Sequence, residues 1–511
     1  MGRIEKAKKN LFFSLGNNLF TTLLTFATRT TFIYTLGLNY LGLNGLYTNI
    51  LSLLAIAELG IGNAISFSLY KPLAKKDEVK IASYIILYRK AYFFIGIIIS
   101  IVGIVLLPFL HNFINFDRNV NINYQTIYIL FLINTVLPYF LFTYKTSILY
   151  ADQKNYIVSK YDMKYNLLNT VTQFLLLCFF KSYYLYLISQ IMYTTYKNYK
   201  LSKCIDREYP FLKKRKGTDL EKLEIKTLIK NDYALSLTKI SGVIYSSTDN
   251  LIISTFISTI TVGLYSNYTM IINMIKSIIS SIFNSFTASV GNLNVESNTK
   301  SLYKNFKRLN FINFWIYGCC FICIDNLLNN FISIWVGKDT IFDNLTVFLI
   351  SLLFLIPGMN NVINIFKDAC GLYWQTKYRA LATAIVNLIV SVILVKYIKI
   401  QGVFIGTIVA YLTTIYVKDP KVVYYECFNK SCLIYYKELA LRYIFVFIID
   451  FGMKIFNPIF DLYFSGLLLF IIKAIFIFSV SNLIFVVFFF RTEEFKFFFL
   501  LLKRSLLKNN Y

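Results

Sequence analysis

Histidine is nearly missing from this 511-residue chain: His111 stands alone beside 52 Lys and Arg and 26 Asp and Glu. It falls in a short connection between apolar runs, so no proton-coupling role is assigned to it. Charge is scarce as well. Charged residues make up 15% of the chain and hydrophobic ones 57%, a balance outside the range of soluble domains. In its place are apolar stretches of about 18 or more residues, recurring from Leu11 toward the C-terminus, each long enough to cross a hydrocarbon core of roughly 30 Å as a helix. The short alternating segments of a β-barrel are missing. So is a disulfide framework, because most of the eight cysteines lie within apolar runs or at their basic ends. Cys319, Cys320 and Cys323 lack the further ligands that a zinc or iron–sulfur site needs, and no metal or other cofactor is expected.

The first apolar run follows the basic start Met1 to Asn10 and continues to about Leu36. It is too long for a signal-peptide core, lacks a small-residue cleavage site and is expected as a retained helix. Helices are predicted at about 11–36, 43–70, 91–110, 124–150, 160–180, 183–203, 232–257, 262–290, 308–334, 343–368, 378–396, 401–417, 440–456 and 465–490. With odd-numbered connections outside, the cytoplasmic segments and helix ends hold about 42 of the 52 Lys and Arg, outside loops about six and helix interiors about four. This asymmetry predicts both termini and Lys197–Asn231 in the cytoplasm. It also absorbs nearly all of the net charge of +26, leaving no basic face for nucleic acid. The run Lys213–Lys216 needs no role beyond fixing that topology.

Two halves repeat. Gly45-Leu-Tyr-Thr-Asn49 recurs as Gly263-Leu-Tyr-Ser-Asn267, and Pro138 recurs as Pro357 at nearly the same offset. Six helices per half give both halves one orientation, hence a pseudo-twofold axis along the membrane normal. The expected architecture is all-α and membrane-integral, with about fourteen transmembrane helices: two six-helix lobes plus two C-terminal helices. The expected divisions are 1–200 (N-terminal lobe), 201–231 (cytoplasmic linker), 232–430 (C-terminal lobe) and 431–511 (the last two helices and a cytoplasmic tail).

Several segments carry a family likeness: Leu54 to Ala64 with Leu69-Tyr-Lys-Pro-Leu73, Thr248 to Ser254, Val262 to Tyr268, and Ala288 to Leu293. They resemble the polysaccharide transporter family of Wzx-type O-antigen and capsule repeat-unit flippases, in the multidrug/oligosaccharidyl-lipid/polysaccharide exporter superfamily. The resemblance implies a flippase in the bacterial cytoplasmic membrane. It would move undecaprenyl-diphosphate-linked oligosaccharide from the inner to the outer leaflet for O-antigen, capsule or exopolysaccharide assembly. The partners implied are the lipid-linked saccharide, membrane lipids, a polysaccharide polymerase and a chain-length regulator.

Ionisable groups inside a bilayer cost about 2.5–3.5 kcal/mol each on insertion scales, so each is a functional candidate with a partner to be found. Arg29, Glu58, Lys239, Asp249, Lys276, Asp325 and Lys473 qualify. In one reading Arg29, Lys239 and Lys276 face a central cavity and bind the diphosphate, with Glu58 and Asp249 as gate or coupling residues. In the other, Glu58–Lys276 and Arg29–Asp249 are ion pairs joining the lobes. Lys473, Asp325 and Asp450 are expected to snorkel or to pair between helices. Gly60-Ile-Gly62 is expected to serve close helix packing. Tyrosines suit interfacial belts and can stack on sugar rings, but the sequence alone does not select which.

Two other classes compete. A membrane polymerase or glycosyltransferase would carry a substantial exterior loop with catalytic residues, and none is present, so no enzyme activity is expected. A cation-coupled multidrug exporter of the same fold would favour an acidic cavity, whereas these charges are mixed and tilt basic.

Overall fold

The computed structural model describes residues 24–58, 61–115, 122–214, 247–296, 299–372, 374–463 and 465–499, and all regular structure among them is helical. The chain forms two compact units, Met1–Ser266 and Asn267–Tyr511. Five described helical stretches are by themselves long and apolar enough to cross a membrane, and a bent pair makes a sixth if it is one span. The fold is that of an all-α, multi-pass membrane protein.

In the first unit, helices occupy residues 24–36 and 247–256, Leu38–Leu54, Ile61–Lys75, Glu78–Leu106, Tyr124–Phe140, Thr146–Ala151, Asn155–Phe180 and Tyr183–Glu208, with the start of Thr259–Glu296. The continuous helix expected at 43–70 is divided, because a tight turn at Ala55–Glu58 separates Leu38–Leu54 from Ile61–Lys75. The helix expected at 124–150 is also broken. Pro138 removes a backbone donor and crowds the preceding turn. Leu141 then leaves helical geometry, Phe142 turns left-handed, and Thr143–Ala151 departs at 49°.

The N-terminal ends of two helices meet across glycines. A Cβ on Gly42 would lie 2.0 Å from the Thr259 carbonyl oxygen, and one on Gly263 would lie 2.8 Å from that of Leu38, so only hydrogen fits at this crossing. Hydrogen bonds from Asn115 to Ile257 and from Ser254 to Phe113 fasten residues 247–258 to the same end of the unit. At the opposite end Lys145 bridges Ser202 and Asp206, tying the far side of the broken helix to Tyr183–Glu208. Nearby, burial alone would lower the Lys154 ammonium's pKa, but its bonds to Asp152 and Glu208 outweigh that and hold it above the usual lysine range.

The second unit repeats this plan and adds two helices. Asn344–Met359 carries Pro357 and breaks at Asn360 before Asn361–Ala369. The long stretch Arg379–Ala410 kinks at Ile398 and Lys399, then relaxes through a wide turn at Tyr411–Ile415 into Tyr416–Phe428. Asp419, fully buried, pairs with Arg379 and lies 3.6 Å from Lys367. The added helices, Leu433–Tyr463 and Gly466–Phe489, pack on Thr299–Trp335. Gly318 admits Val446 and Phe485, each 3.0 Å from where a Cβ would sit. Polar groups complete the seam. Lys454 pairs with Asp325 and with Asp450 at 3.2 Å, Asn326 donates to Asp450 at 2.9 Å, and Lys473 reaches Asp461 at 2.8 Å. Asp325, Asp450 and Lys473 are thus interhelical residues.

Candidate functional site

Arg29 sits midway along residues 24–36, half-buried, and donates to the hydroxyl of Ser266. The phenols of Tyr186 and Tyr183 lie close enough to interact with its charge. Around them the rings stack edge to face: Phe32 lies 5.2 Å from Tyr183 and 5.3 Å from Tyr186, and Tyr40 lies 5.2 Å from Tyr183. Tyr183 donates to Asn44 at 3.3 Å, which fixes the ring against Leu38–Leu54. A guanidinium framed by phenols and hydroxyls offers a planar fork to phosphate and flat faces to sugar.

Glu58 is held differently. It ends the tight turn that divides the second helix, where Tyr92 donates to one carboxylate oxygen and Tyr139 to the other at 2.6 Å. Tyr88 donates to Tyr92 at 2.8 Å, extending the chain of hydroxyls. Tyr139 directly follows Pro138, so the carboxylate joins two interrupted helices, its own and the proline-bent one.

In the second unit, Lys276 is half-buried, and its Nζ donates to the Leu353 carbonyl at 3.4 Å; among the described residues it makes no ion pair. Asp249 is buried in residues 247–256 of the first unit, beside the buried Tyr265. Lys239 lies outside the described residues. The first unit therefore brings Arg29, Glu58 and Asp249 into polar, tyrosine-rich surroundings. Tyr183, Tyr186, Tyr92 and Tyr139 were missed by sequence reasoning, since 40 tyrosines give no reason to select these four.

Both units carry a proline-broken helix and ionisable side chains within their helices. No family model matches the chain, and no curated protein matches it either. Solved structures do. An inward-facing multidrug-resistance MATE-family transporter of the MOP superfamily superposes with a TM-score of 0.64 at 14% identity, covering 80% of this chain and 96% of its own. The lipid II flippase MurJ in an inward closed conformation gives 0.63 at 16% identity, covering 94% of this chain and 100% of its own. A MOP-superfamily transporter from Pyrococcus furiosus gives 0.56 at 13% identity, covering 83% and 96%. The chain has the fold of MOP-superfamily transporters.

Proposed function

We propose that this chain is a flippase that moves undecaprenyl-diphosphate-linked oligosaccharide repeat units from the inner to the outer leaflet of the bacterial cytoplasmic membrane, by alternating access. The observation that carries the reading is coverage. The likeness to a lipid II flippase extends over 94% of the chain, while that to the multidrug transporter stops at 80%. The two added helices are bound to the second unit by a buried polar seam and widen the apolar surface available to a lipid tail. Arg29, Lys239 and Lys276 bind the diphosphate, the arginine through its fork and the lysines as point charges. Glu58 and Asp249 gate or couple the movement. An inside-negative potential favours outward passage of an uncompensated anion by about 2.3 kcal/mol per charge per 100 mV, a driving force available with or without a coupling ion.

A second reading is supported by the MATE-family likeness and by Glu58, a membrane carboxylate suited to a cationic drug or a coupling ion. Reconstitution separates the two. Fluorescent short-chain polyprenyl-diphosphate saccharides should reach the outer leaflet of proteoliposomes. Transport of cationic dyes, with none of the lipid-linked saccharides moved, would replace the flippase reading by drug export.

A further inference from the structure

We infer that the first unit carries a binding groove for an anionic phospholipid of the surrounding bilayer, separate from the diphosphate site and independent of which substrate is transported. The groove encloses about 870 Å³ and exists because the helix ending at Phe140 breaks. Leu141 and the left-handed Phe142 turn away from the line of that helix and leave a concave wall between Asn155–Phe180 and Tyr183–Glu208. Asn198 donates to Thr143 at 3.3 Å and Thr172 bonds Tyr193 at 2.8 Å, so both sides of the groove are fixed.

One stripe of Tyr183–Glu208 lines it in a telling order. Ile188 and Met192 come first and Tyr196 and Tyr199 follow, and Lys200 and Lys203 stand just beyond the lining in the chain. That is the sequence of acyl chain, interface and headgroup in a phospholipid. From Ile188 to Tyr199 the helix rises about 16 Å, close to half of the roughly 30 Å hydrocarbon thickness, so the groove suits a chain of one leaflet rather than a much longer polyprenyl tail.

The rim selects charge. Lys200 lies 5.1 Å above the Tyr196 ring and Lys203 lies 4.5 Å above that of Tyr199, both rings lining the groove. Lys164 adds a third cation over Tyr165, whose ring meets Tyr196 at 5.6 Å. The nearby acid, Asp162, is neutralised by Lys197 at 2.9 Å. Among the described residues none of Lys164, Lys200 and Lys203 is in an ion pair, so the rim presents net positive charge to an anionic headgroup.

Native mass spectrometry of the full-length protein tests this, with phosphatidylglycerol, phosphatidylcholine and a polyprenyl monophosphate as probes. Wild-type protein should retain phosphatidylglycerol over phosphatidylcholine. Lys200→Ala with Lys203→Ala should cut that preference about tenfold or more. Met192→Trp, at an exposed groove position, should reduce retention of both phospholipids by filling the groove while leaving the melting temperature unchanged. Equal retention of the two phospholipids by wild type, or unchanged retention in both variants, overturns the assignment. Displacement of phosphatidylglycerol by polyprenyl monophosphate at equal concentration would give the groove to a carrier lipid instead.

Discussion

Lys181 and Lys399, 218 residues apart, both hold positive φ, at 47° and 50°, where one helix of their unit gives way to the next, but Lys181 is left-handed at ψ 34° and Lys399 lies at ψ −130°. The helices that carry the repeated prolines also start alike: Asn123 caps Thr126 and Asp343 caps Thr346 through their side chains. The two units agree in a cap, a proline break and a positive-φ turn, beyond the overlap of a few Gly and Tyr positions. Left-handed geometry costs an L-residue about 1–2 kcal/mol, and glycine escapes that cost. Lys181→Gly should raise stability by about 1 kcal/mol in thermal melts of purified protein, and Lys399→Gly, whose ψ lies in a region open to little but glycine, by at least as much. Loss of stability at either position would show that its positive φ is not strained.

Glu58 is expected to act as a unit with Tyr92 and Tyr139. A hydrogen bond to a charged group contributes about 1.5–3 kcal/mol, and the partners share one carboxylate. Glu58→Gln and Tyr139→Phe should each destabilise the protein. The double variant should fall short of the sum, which a double-mutant cycle on unfolding midpoints measures. Simple additivity would mean that the carboxylate and phenol do not interact.

These two results mark what the sequence makes legible. Helix positions follow from long apolar runs, and both Pro138 and Pro357 are visible as local features. The consequences of each proline are not, because whether a helix bends at Phe142 or breaks at Asn360 depends on what packs beyond it. Arg29, Glu58 and Lys276 stand out because charge is rare in such segments. Their partners do not, since Tyr92, Tyr139 and Ser266 reach the site across 34, 81 and 237 positions and belong to residue types common throughout the chain.

Cys370 and Cys427 test the packing of the second unit without any substitution. Their sulfurs lie 2.8 Å apart, joining the end of Asn361–Ala369 to that of Tyr416–Phe428. Mild oxidation of the native protein should therefore remove both thiols from maleimide labelling after denaturation while Cys178 and Cys204 still react, and reductant should restore them. Persistent labelling of both thiols after oxidation would separate these helix ends.

The seam beneath the added helices should be intolerant of volume. Gly318→Leu forces a side chain into the space taken by Val446 and Phe485, an overpacking expected to cost about 1–3 kcal/mol. Lys454→Met should cost more, roughly 3–5 kcal/mol, because it leaves Asp325 and Asp450 without their shared cation. Limited proteolysis should then cut the chain near residues 429–432 faster in both variants. Equal cutting in wild type and variants would show that the seam contributes little to holding these helices.

The last prediction concerns the cations themselves and separates a fork from a point charge. Arg29 is framed by Ser266, Tyr183 and Tyr186, a setting in which a planar guanidinium can meet two phosphate oxygens at once, while Lys276 extends alone toward the Leu353 carbonyl. If both bind the diphosphate, their conservative exchanges should behave unequally. Arg29→Lys keeps the charge but loses bidentate geometry, and should weaken binding of a polyprenyl-diphosphate saccharide by about ten- to hundredfold, the equivalent of one charge-assisted bond. Lys276→Arg keeps charge and adds donors, and should leave affinity within about threefold. Alanine at Arg29, Lys239 or Lys276 should impair transport without reducing the amount of protein in the membrane. Binding measured in detergent and flipping measured in proteoliposomes give the two readouts. Wild-type transport in all three alanine variants would place the diphosphate elsewhere, and equal losses in Arg29→Lys and Lys276→Arg would remove the distinction between fork and point charge.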